Sequence, residues 1–273
     1  MNESIDLISR DGRTISINNV NSEDINCLQP ELIDFEILNF IFYDKSEKLT
    51  ITTLVKHIEL FYDMSLLKYS KKCLLKILKI GCDEVNKIVY IKELLTNEEL
   101  NNLLIQASDN GNLEVVKYLH HNGADICIQD NDAIRWASRN GNLEVVKYLH
   151  ENGADVCAQD NDAIKWASAL GHLEVVKYLH QNGADICAQE NYSIRCASEK
   201  GHLEVVKYLH QSGADICARN NYAITRASEK GHLEVVKYLH QNGAHICAQD
   251  NYAVTYASEK GHFEVVKYLT TSK

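Results

Sequence analysis

Cysteine and histidine recur in this chain at intervals of 30 residues, and both side chains are common metal ligands. If residues 30 apart lie on neighbouring stacked units, their helices pack about 8–10 Å apart. A disulfide needs Cα atoms closer than about 7 Å, and two sulfurs on one zinc must be closer still. We therefore predict no metal, no cofactor and no disulfide, and interpret the cysteines as small half-buried thiols. The two columns are Cys127, Cys157, Cys187, Cys217 and Cys247, and His120, His150, His180, His210 and His240.

A further column follows a glycine in each unit. It is asparagine at Asn112 and Asn142 and becomes histidine from His172 onward, at His202, His232 and His262. Because both residue types can hydrogen-bond locally at a helix start, we interpret this column as loop structure. The sequence has no Gly-x-Ser-x-Gly, His-Glu-x-x-His, phosphate-binding Gly-x-x-x-x-Gly-Lys-Ser/Thr or Cys-x-x-Cys motif. We predict that the protein is not an enzyme.

Four positions in each unit vary while their neighbours barely change. In the unit that begins at Asn131 they are Asp132, Arg135, Trp136 and Arg139. Their i, i+3, i+4, i+7 spacing forms one stripe on a helix, which we place opposite the core face. Tyr, Trp and Arg often dominate the energy of protein interfaces. The predicted partner-binding residues are Asp132, Arg135, Trp136, Arg139, Asp162, Lys165, Trp166, Tyr192, Arg195, Tyr222, Arg226, Tyr252 and Tyr256.

The stripe has two interpretations that the sequence leaves open. One is a groove that binds a protein. The other is drift on a tolerant surface after recent duplication, with Trp136 and Trp166 half-packed between repeats. Charge also changes along the stripe, which gives it a basic end and an acidic end that a partner can distinguish. It is basic at Arg135, Arg139, Lys165 and Arg195 and acidic at Glu199, Glu229 and Glu259.

The elements that position these residues are set by the 30-residue unit. Each unit is predicted to form two short helices, about 132–139 ending near Gly141 and about 143–151 ending at Gly153. Neither helix is long enough to persist alone in water. One unit also cannot bury enough apolar surface against itself, so the units must stack. Five full repeats and a partial sixth fill residues 98–273, beginning at Asn101, Asn131, Asn161, Asn191, Asn221 and Asn251.

The phrase Gly-His-Leu-Glu-Val-Val-Lys-Tyr-Leu from Gly171, followed by Gly-Ala-Asp-Ile from Gly183, resembles the ankyrin repeat. It is most similar to ankyrin proteins of giant DNA viruses and amoebae. The resemblance implies a mostly α-helical solenoid whose concave first-helix surface holds a protein partner. The family's Thr-Pro-Leu-His is replaced by forms such as Asp132-Ala133-Ile134-Arg135, and the unit is shorter than the usual length of about 33 residues. The loss falls near residues 155–160, so we expect shortened fingers with little strand.

Residues 1–97 are predicted to form a separate small domain, α+β or mostly helical. Two β-rich runs, 5–9 and 14–17, flank Asp11-Gly12 and predict a hairpin. Helical patterns begin at Glu36. The segments 5–12, 37–43 and 59–67, with Cys73, resemble a degenerate BTB/POZ or Skp1-like domain with a shortened middle. This resemblance implies self-association or binding to a cullin.

Charge and hydropathy restrict the partners and the compartment. The net charge is −10 and no block is basic, which argues against nucleic acid. No apolar run approaches the length of a membrane span. The acidic start, Met1-Asn2-Glu3-Ser4, does not look like a signal peptide. With nine cysteines and no export signal, we predict a reducing cytoplasm, the host cytoplasm if the protein is viral.

These observations predict a non-enzymatic interaction protein that binds an unidentified protein partner through its first-helix surface. Two alternatives stay open. One is a substrate adaptor that contacts a cullin-type ubiquitin ligase through the N-terminal domain. The other is a structural scaffold with no defined partner.

Overall fold

The computed structural model describes residues 4–8, 14–18, 95–246 and 248–271. Contacts between Cα atoms divide the chain into two compact units, one of which contains the first two segments and the other residues 95–273.

The first unit contains a β-hairpin. Strand β1 (Ser4–Ile8) runs antiparallel to β2 (Thr14–Asn18), with Ser4 opposite Asn18 and Ile8 opposite Thr14. The hairpin predicted around Asp11-Gly12 is therefore confirmed. The helices predicted between residues 36 and 94, and most of the BTB/POZ resemblance, lie outside the described residues. The assignment of residues 1–97 to one domain stays a prediction.

The second unit is helical, and the structure describes twelve helices there, arranged as six pairs. This confirms the mostly α solenoid. The first helices are α1 (Asn97–Asp109), α3 (Ile128–Arg139), α5 (Ala158–Ala169), α7 (Ala188–Lys200), α9 (Ala218–Glu229) and α11 (Ala248–Glu259). The second helices are α2 (Leu113–His121), α4 (Leu143–Glu151), α6 (Leu173–Gln181), α8 (Leu203–Gln211), α10 (Leu233–Gln241) and α12 (Phe263–Thr271).

The second helices begin and end where the sequence predicts. Helix α4 spans Leu143–Glu151 and buries Val145, Val146 and Leu149. Its end is closed by two backbone hydrogen bonds, from Gly153 N–H to the His150 carbonyl (3.0 Å) and from Ala154 N–H to the Leu149 carbonyl (3.0 Å). Gly153 has φ of 108°, which only glycine adopts without strain. The glycine thus turns the chain toward the next repeat.

A left-handed turn leads into the first helices of the middle repeats. In α3, Gln129, Asp130 and Asn131 have φ of 50°, 53° and 69°, and the right-handed helix starts at Asp132 as predicted. The same three positions are left-handed in α5, α7 and α9. No strand lies between a second helix and the next first helix in the part of the array that the structure describes. The expectation of shortened fingers is therefore confirmed.

An asparagine stabilises the left-handed turn of each middle repeat. The backbone N–H of Asn161 donates to the Cys157 carbonyl (3.0 Å), and its Oδ1 accepts the Asp185 N–H (2.7 Å). Asn131 and Asn191 accept from Asp155 (2.9 Å) and Asp215 (2.8 Å) in the same way. Among residues with a Cβ, asparagine adopts the left-handed region most readily, since its side chain hydrogen-bonds locally. The asparagine side chain therefore links the start of a repeat to its end, and its backbone N–H closes the turn.

Neighbouring repeats pack mainly through their first helices. Ala133, Ile134 and Ala137 of α3 are fully buried, and the small alanines allow the next first helix to approach closely. The second helices of neighbouring repeats contact each other less extensively than the first helices do. The first helices of neighbouring repeats are therefore packed more closely than the second helices.

We predict that Asn161→Ala lowers the free energy of unfolding by about 1–2 kcal/mol. It removes the acceptor of the Asp185 N–H and places alanine in a left-handed conformation. Asn251→Ala is the matched control. Asn251 has φ of 66°, but its Oδ1 has no hydrogen-bond partner among the described residues. Urea denaturation should therefore show a smaller loss for Asn251→Ala. Equal losses in the two variants would contradict the role of the side-chain hydrogen bond.

Candidate partner-binding surface

The predicted stripe runs along the first helices, on the face that we call the inner surface, but its residues differ in exposure. Trp166, Tyr192 and Tyr252 are 43%, 39% and 41% exposed. The other predicted residues in the first and third of the four stripe positions are half-buried, and so is Arg139: Asp132, Trp136, Arg139, Asp162, Tyr222, Arg226 and Tyr256.

One part of the stripe is not surface, which corrects the expectation that all four positions face away from the core. Lys165 and Arg195 are only 5% exposed, as is Thr225 in the same column. Arg135, at the start of this column, is half-buried. On a first helix considered alone, these residues lie opposite the core face. The first helix of the neighbouring repeat, however, lies directly beside it and covers them.

Carboxylates neutralise the cations of this column in the first two of these repeats. Arg135 Nη2 lies 2.9 Å from Asp132 Oδ1, and its Nη1 lies 3.9 Å from Asp162 Oδ2. Nη1 also donates to the Gln159 side chain. Lys165 Nζ lies 2.7 Å from the other oxygen of Asp162. Asp162 thus bridges the cations of two repeats.

Arginine also links the two tryptophans. The Arg139 guanidinium carbon lies 4.9 Å from the centre of the Trp136 ring and 5.1 Å from that of Trp166. A guanidinium over an aromatic face is attracted by the ring's quadrupole, by about 0.5–1 kcal/mol at exposed sites. The contact holds Trp166 in place while leaving much of its ring in solvent.

The same alternation continues with tyrosines. Arg195 lies 5.5 Å from the Tyr192 ring and 5.3 Å from the Tyr222 ring, and Arg226 lies 4.9 Å from Tyr222. Arg226 also pairs with Glu229, and this hydrogen bond lowers the pKa of the Glu229 carboxyl. In the last repeat, Tyr252 and Tyr256 contact each other with ring centres 5.3 Å apart.

A surface pocket of about 450 Å³ lies between α7 and α9. Aromatic, charged, amide and thiol side chains line it: Gln189, Glu190, Tyr192, Arg195, Cys196, Glu199, Arg219 and Tyr222. Burial raises the pKa of the Cys196 thiol, so the thiolate is disfavoured there.

Sequence reasoning missed two residues of this surface. Leu170, one turn after Trp166, is 41% exposed and extends the apolar patch. Its column also varies between repeats (Asn140, Leu170, Lys200, Lys230, Lys260), so the comparison that found the stripe could have found it. Cys196 lines the pocket. It occupies the third of the four stripe positions, but it is not among the predicted partner-binding residues.

The first histidine column contacts tyrosines of the next repeat. Each Nδ1 is hydrogen-bonded to a tyrosine hydroxyl 28 residues later, at 2.8–3.0 Å. The pairs are His120–Tyr148, His150–Tyr178, His180–Tyr208, His210–Tyr238 and His240–Tyr268. Among the described residues, no three His, Cys, Asp or Glu side chains are grouped so that they could hold a metal ion.

The cysteine column is more exposed than predicted. Cys127, Cys157 and Cys187 are exposed free thiols, and Cys217 is half-buried. Each donates a weak hydrogen bond to a glycine carbonyl of the next repeat, as Cys157 does to Gly183 at 3.3 Å. The expectation of half-buried thiols fails for the first three because the turn that carries them lies at the edge of the stack.

The glycine-linked column also differs from its interpretation as local loop structure. Asn142 and His202 occupy the residue before a second helix, but their side chains make no capping hydrogen bond there. Instead, Asn142 Nδ2 donates to the Ser108 carbonyl (2.9 Å), and His202 Nε2 is hydrogen-bonded to the Ala169 carbonyl (3.1 Å). The imidazole lies over Gly171 so closely that a Cβ there would be 2.6 Å from His202 Nδ1. This column therefore joins repeats.

Stacked helix pairs with a fixed 30-residue period define a helical repeat solenoid. The chain belongs to the ankyrin-repeat family, whose three-copy pattern matches residues 104–190 and 194–273. Ankyrin repeats are in general protein–protein interaction modules and typically not enzymes. No curated protein matches the chain. The family match does not include the first 103 residues, so the BTB/POZ resemblance stays a prediction. The similarity of the repeats to those of viral proteins also stays a prediction.

None of the helices in the described segments is both long and apolar enough to cross a membrane. The cytoplasmic location stays a prediction, as do the absence of nucleic acid as a partner and cullin binding or self-association through the N-terminal domain.

We predict that His202 makes the array less stable in acid. Burial is the main cause that lowers the pKa of His202 below its ordinary value of 6.5, and the neighbouring His172 and His232 lower it further. The unfolded chain therefore takes up this proton first. The contribution of His202 is complete above pH 6.5 and is lost as the pH falls through the lowered folded-state pKa.

His202→Asn tests this, since Asn142 Nδ2 donates to the equivalent inter-repeat carbonyl, that of Asp109 (2.9 Å). Urea denaturation at pH 7.5 and pH 5 should show a smaller acid-induced loss of stability for His202→Asn than for the wild type. An identical loss in both proteins would contradict the prediction.

Proposed function

We propose that the array binds a protein partner through the inner surface formed by its first helices. The observation that carries the proposal is a set of large apolar side chains left in solvent at neighbouring first helices, with Trp166 on α5, Leu170 directly after it and Tyr192 on α7. Trp166 is 43% exposed, Leu170 41% and Tyr192 39%. Exposed apolar side chains grouped in this way mark interaction sites more often than isolated ones do.

The arrangement of these anchors supports the proposal. The Arg139 guanidinium contacts the rings of both Trp136 and Trp166, and Lys165 Nζ lies 5.8 Å from the centre of the Tyr192 ring. Side chains fixed before binding lose less conformational entropy when a partner arrives. Tryptophan, tyrosine and arginine are also the residue types whose truncation most often weakens a complex.

The charges of this surface are mostly paired within the array, as Arg135 and Lys165 are with Asp132 and Asp162. Because paired charges contribute little to attraction at a distance, we expect the apolar anchors to supply most of the binding energy. The remaining unpaired charges then select the partner.

We predict that Trp166→Ala removes at least one protein that the full-length chain captures from cell extract, with a loss of affinity of tenfold or more. Phe263→Ala is the matched control, since Phe263 is 77% exposed but lies on a second helix, α12. It should leave capture unchanged. Circular dichroism of both variants checks that the array stays folded.

Two outcomes would contradict the proposed function. If Trp166→Ala captured the same proteins as the wild type, the stripe would be a tolerant surface. If Phe263→Ala lost the same proteins, capture would depend on nonspecific binding to exposed aromatic side chains and not on the inner surface.

A further inference from the structure

We propose that the partner inserts an Asp or Glu side chain into the pocket between α7 and α9, where its carboxylate meets Arg195. This inference rests on the proposed function and names the chemistry that the partner brings to that surface.

A comparison within the stripe supports it. The column that contains Arg195 has a cation in three successive repeats, at Arg135, Lys165 and Arg195. Asp132 lies 2.9 Å from Arg135, and Asp162 lies 2.7 Å from Lys165. In the next repeat, Tyr192 replaces that aspartate. Among the described residues, no carboxylate lies within 4.0 Å of the Arg195 guanidinium, although the cation is retained.

Arg195 is also buried. It is 5% exposed, its Nη2 donates to the Gln189 carbonyl (3.2 Å), and its Nε has no acceptor in the described part of the chain. The rings of Tyr192 and Tyr222 provide attraction but no counter-charge. A buried charge without an ionic partner is costly. The structure therefore retains a cation at a position where the array itself does not neutralise it.

The pocket gives this cation a route to a ligand. Arg195 lines a space of about 450 Å³, together with Tyr192 and Tyr222. A carboxylate side chain entering there would pack its methylene groups on the rings and pair its oxygens with the guanidinium. Hydrogen bonds between guanidinium and carboxylate are among the strongest in proteins.

The other charges of the pocket restrict which residues can flank the inserted Asp or Glu. Arg219 is paired with Glu190. Glu199, one turn after Arg195, is half-buried and makes no ion pair with any described residue. Its negative charge disfavours a second acidic residue beside the first. We therefore expect the inserted Asp or Glu to be flanked by neutral or basic residues.

Random heptapeptides fused through their C-termini to a phage coat protein test the inference on the full-length chain, because such peptides have no free C-terminal carboxylate. We expect enrichment of sequences with Asp or Glu at one fixed position. A selected peptide, synthesised and measured by fluorescence anisotropy, should bind about tenfold more weakly when that residue becomes Asn or Gln.

Two variants of the chain provide the matched tests. Arg195→Thr removes the cation and uses the residue that Thr225 and Thr255 supply in this column. Tyr192→Asp recreates the internal ion pair seen between Asp162 and Lys165, so it keeps the arginine but occupies it. Each should weaken the selected peptide about tenfold or more. Tyr192→Asp should unfold at the same temperature as the wild type or higher, which separates lost binding from lost folding.

Three results would overturn the inference: no enriched peptide, enriched peptides without a fixed acidic residue, or unchanged binding in both variants. The proposed function fails separately. If Trp166→Ala lost captured proteins while Arg195→Thr and Tyr192→Asp bound every ligand as the wild type does, the inner surface would still bind protein, and only the carboxylate would be wrong.

Discussion

The close packing of each first helix on the next is the constraint on which the rest of the array depends. It requires small buried residues, and Ala133, Ala137 and their counterparts in the following repeats supply them. Because these helices approach closely, side chains at their flanks reach the neighbouring repeat. The Asp162 bridge, the arginine–aromatic contacts and the burial of Lys165 and Arg195 all follow from this approach.

The connections on the outer side use different chemistry with the same period. Histidine–tyrosine hydrogen bonds join second helices, and Asn142 or His202 reaches back to the preceding first helix. Each polar link replaces a carbonyl's or hydroxyl's hydrogen bond to water, so its net contribution is modest, about 1 kcal/mol. Their value lies in specifying the register of one repeat on the next. That register places the stripe residues of successive repeats side by side, and thus creates the inner surface.

The sequence predicted the elements well and their lateral contacts poorly. The helix at 143–151, the start of the right-handed helix at Asp132 and the hairpin around Asp11-Gly12 follow from local patterns of glycine, apolar residues and turn formers. The burial of Arg195 does not, since a helical pattern shows which face turns from the core but not what lies beside the helix. For the same reason the partners of His202 and of the first histidine column were not predicted.

The exposed patch was found only in part. Trp136 and Trp166 were recognised by residue type, whereas the contact that holds them together, through Arg139, depends on the spacing between repeats. The absent counter-ion of Arg195 was in principle readable, because the exchange of Asp162 for Tyr192 leaves the cation in place. The missing counter-ion can be interpreted only with the geometry, which shows that Asp132 and Asp162 neutralise the other cations of the column.

The most direct test of the account compares a synthetic peptide of residues 161–190, one repeat, with residues 98–273 by circular dichroism and urea denaturation. Because stacking supplies the stability, the single repeat should be largely unfolded in water and show no cooperative transition, whereas the array should unfold cooperatively. A single repeat that folded and unfolded cooperatively by itself would contradict the central claim.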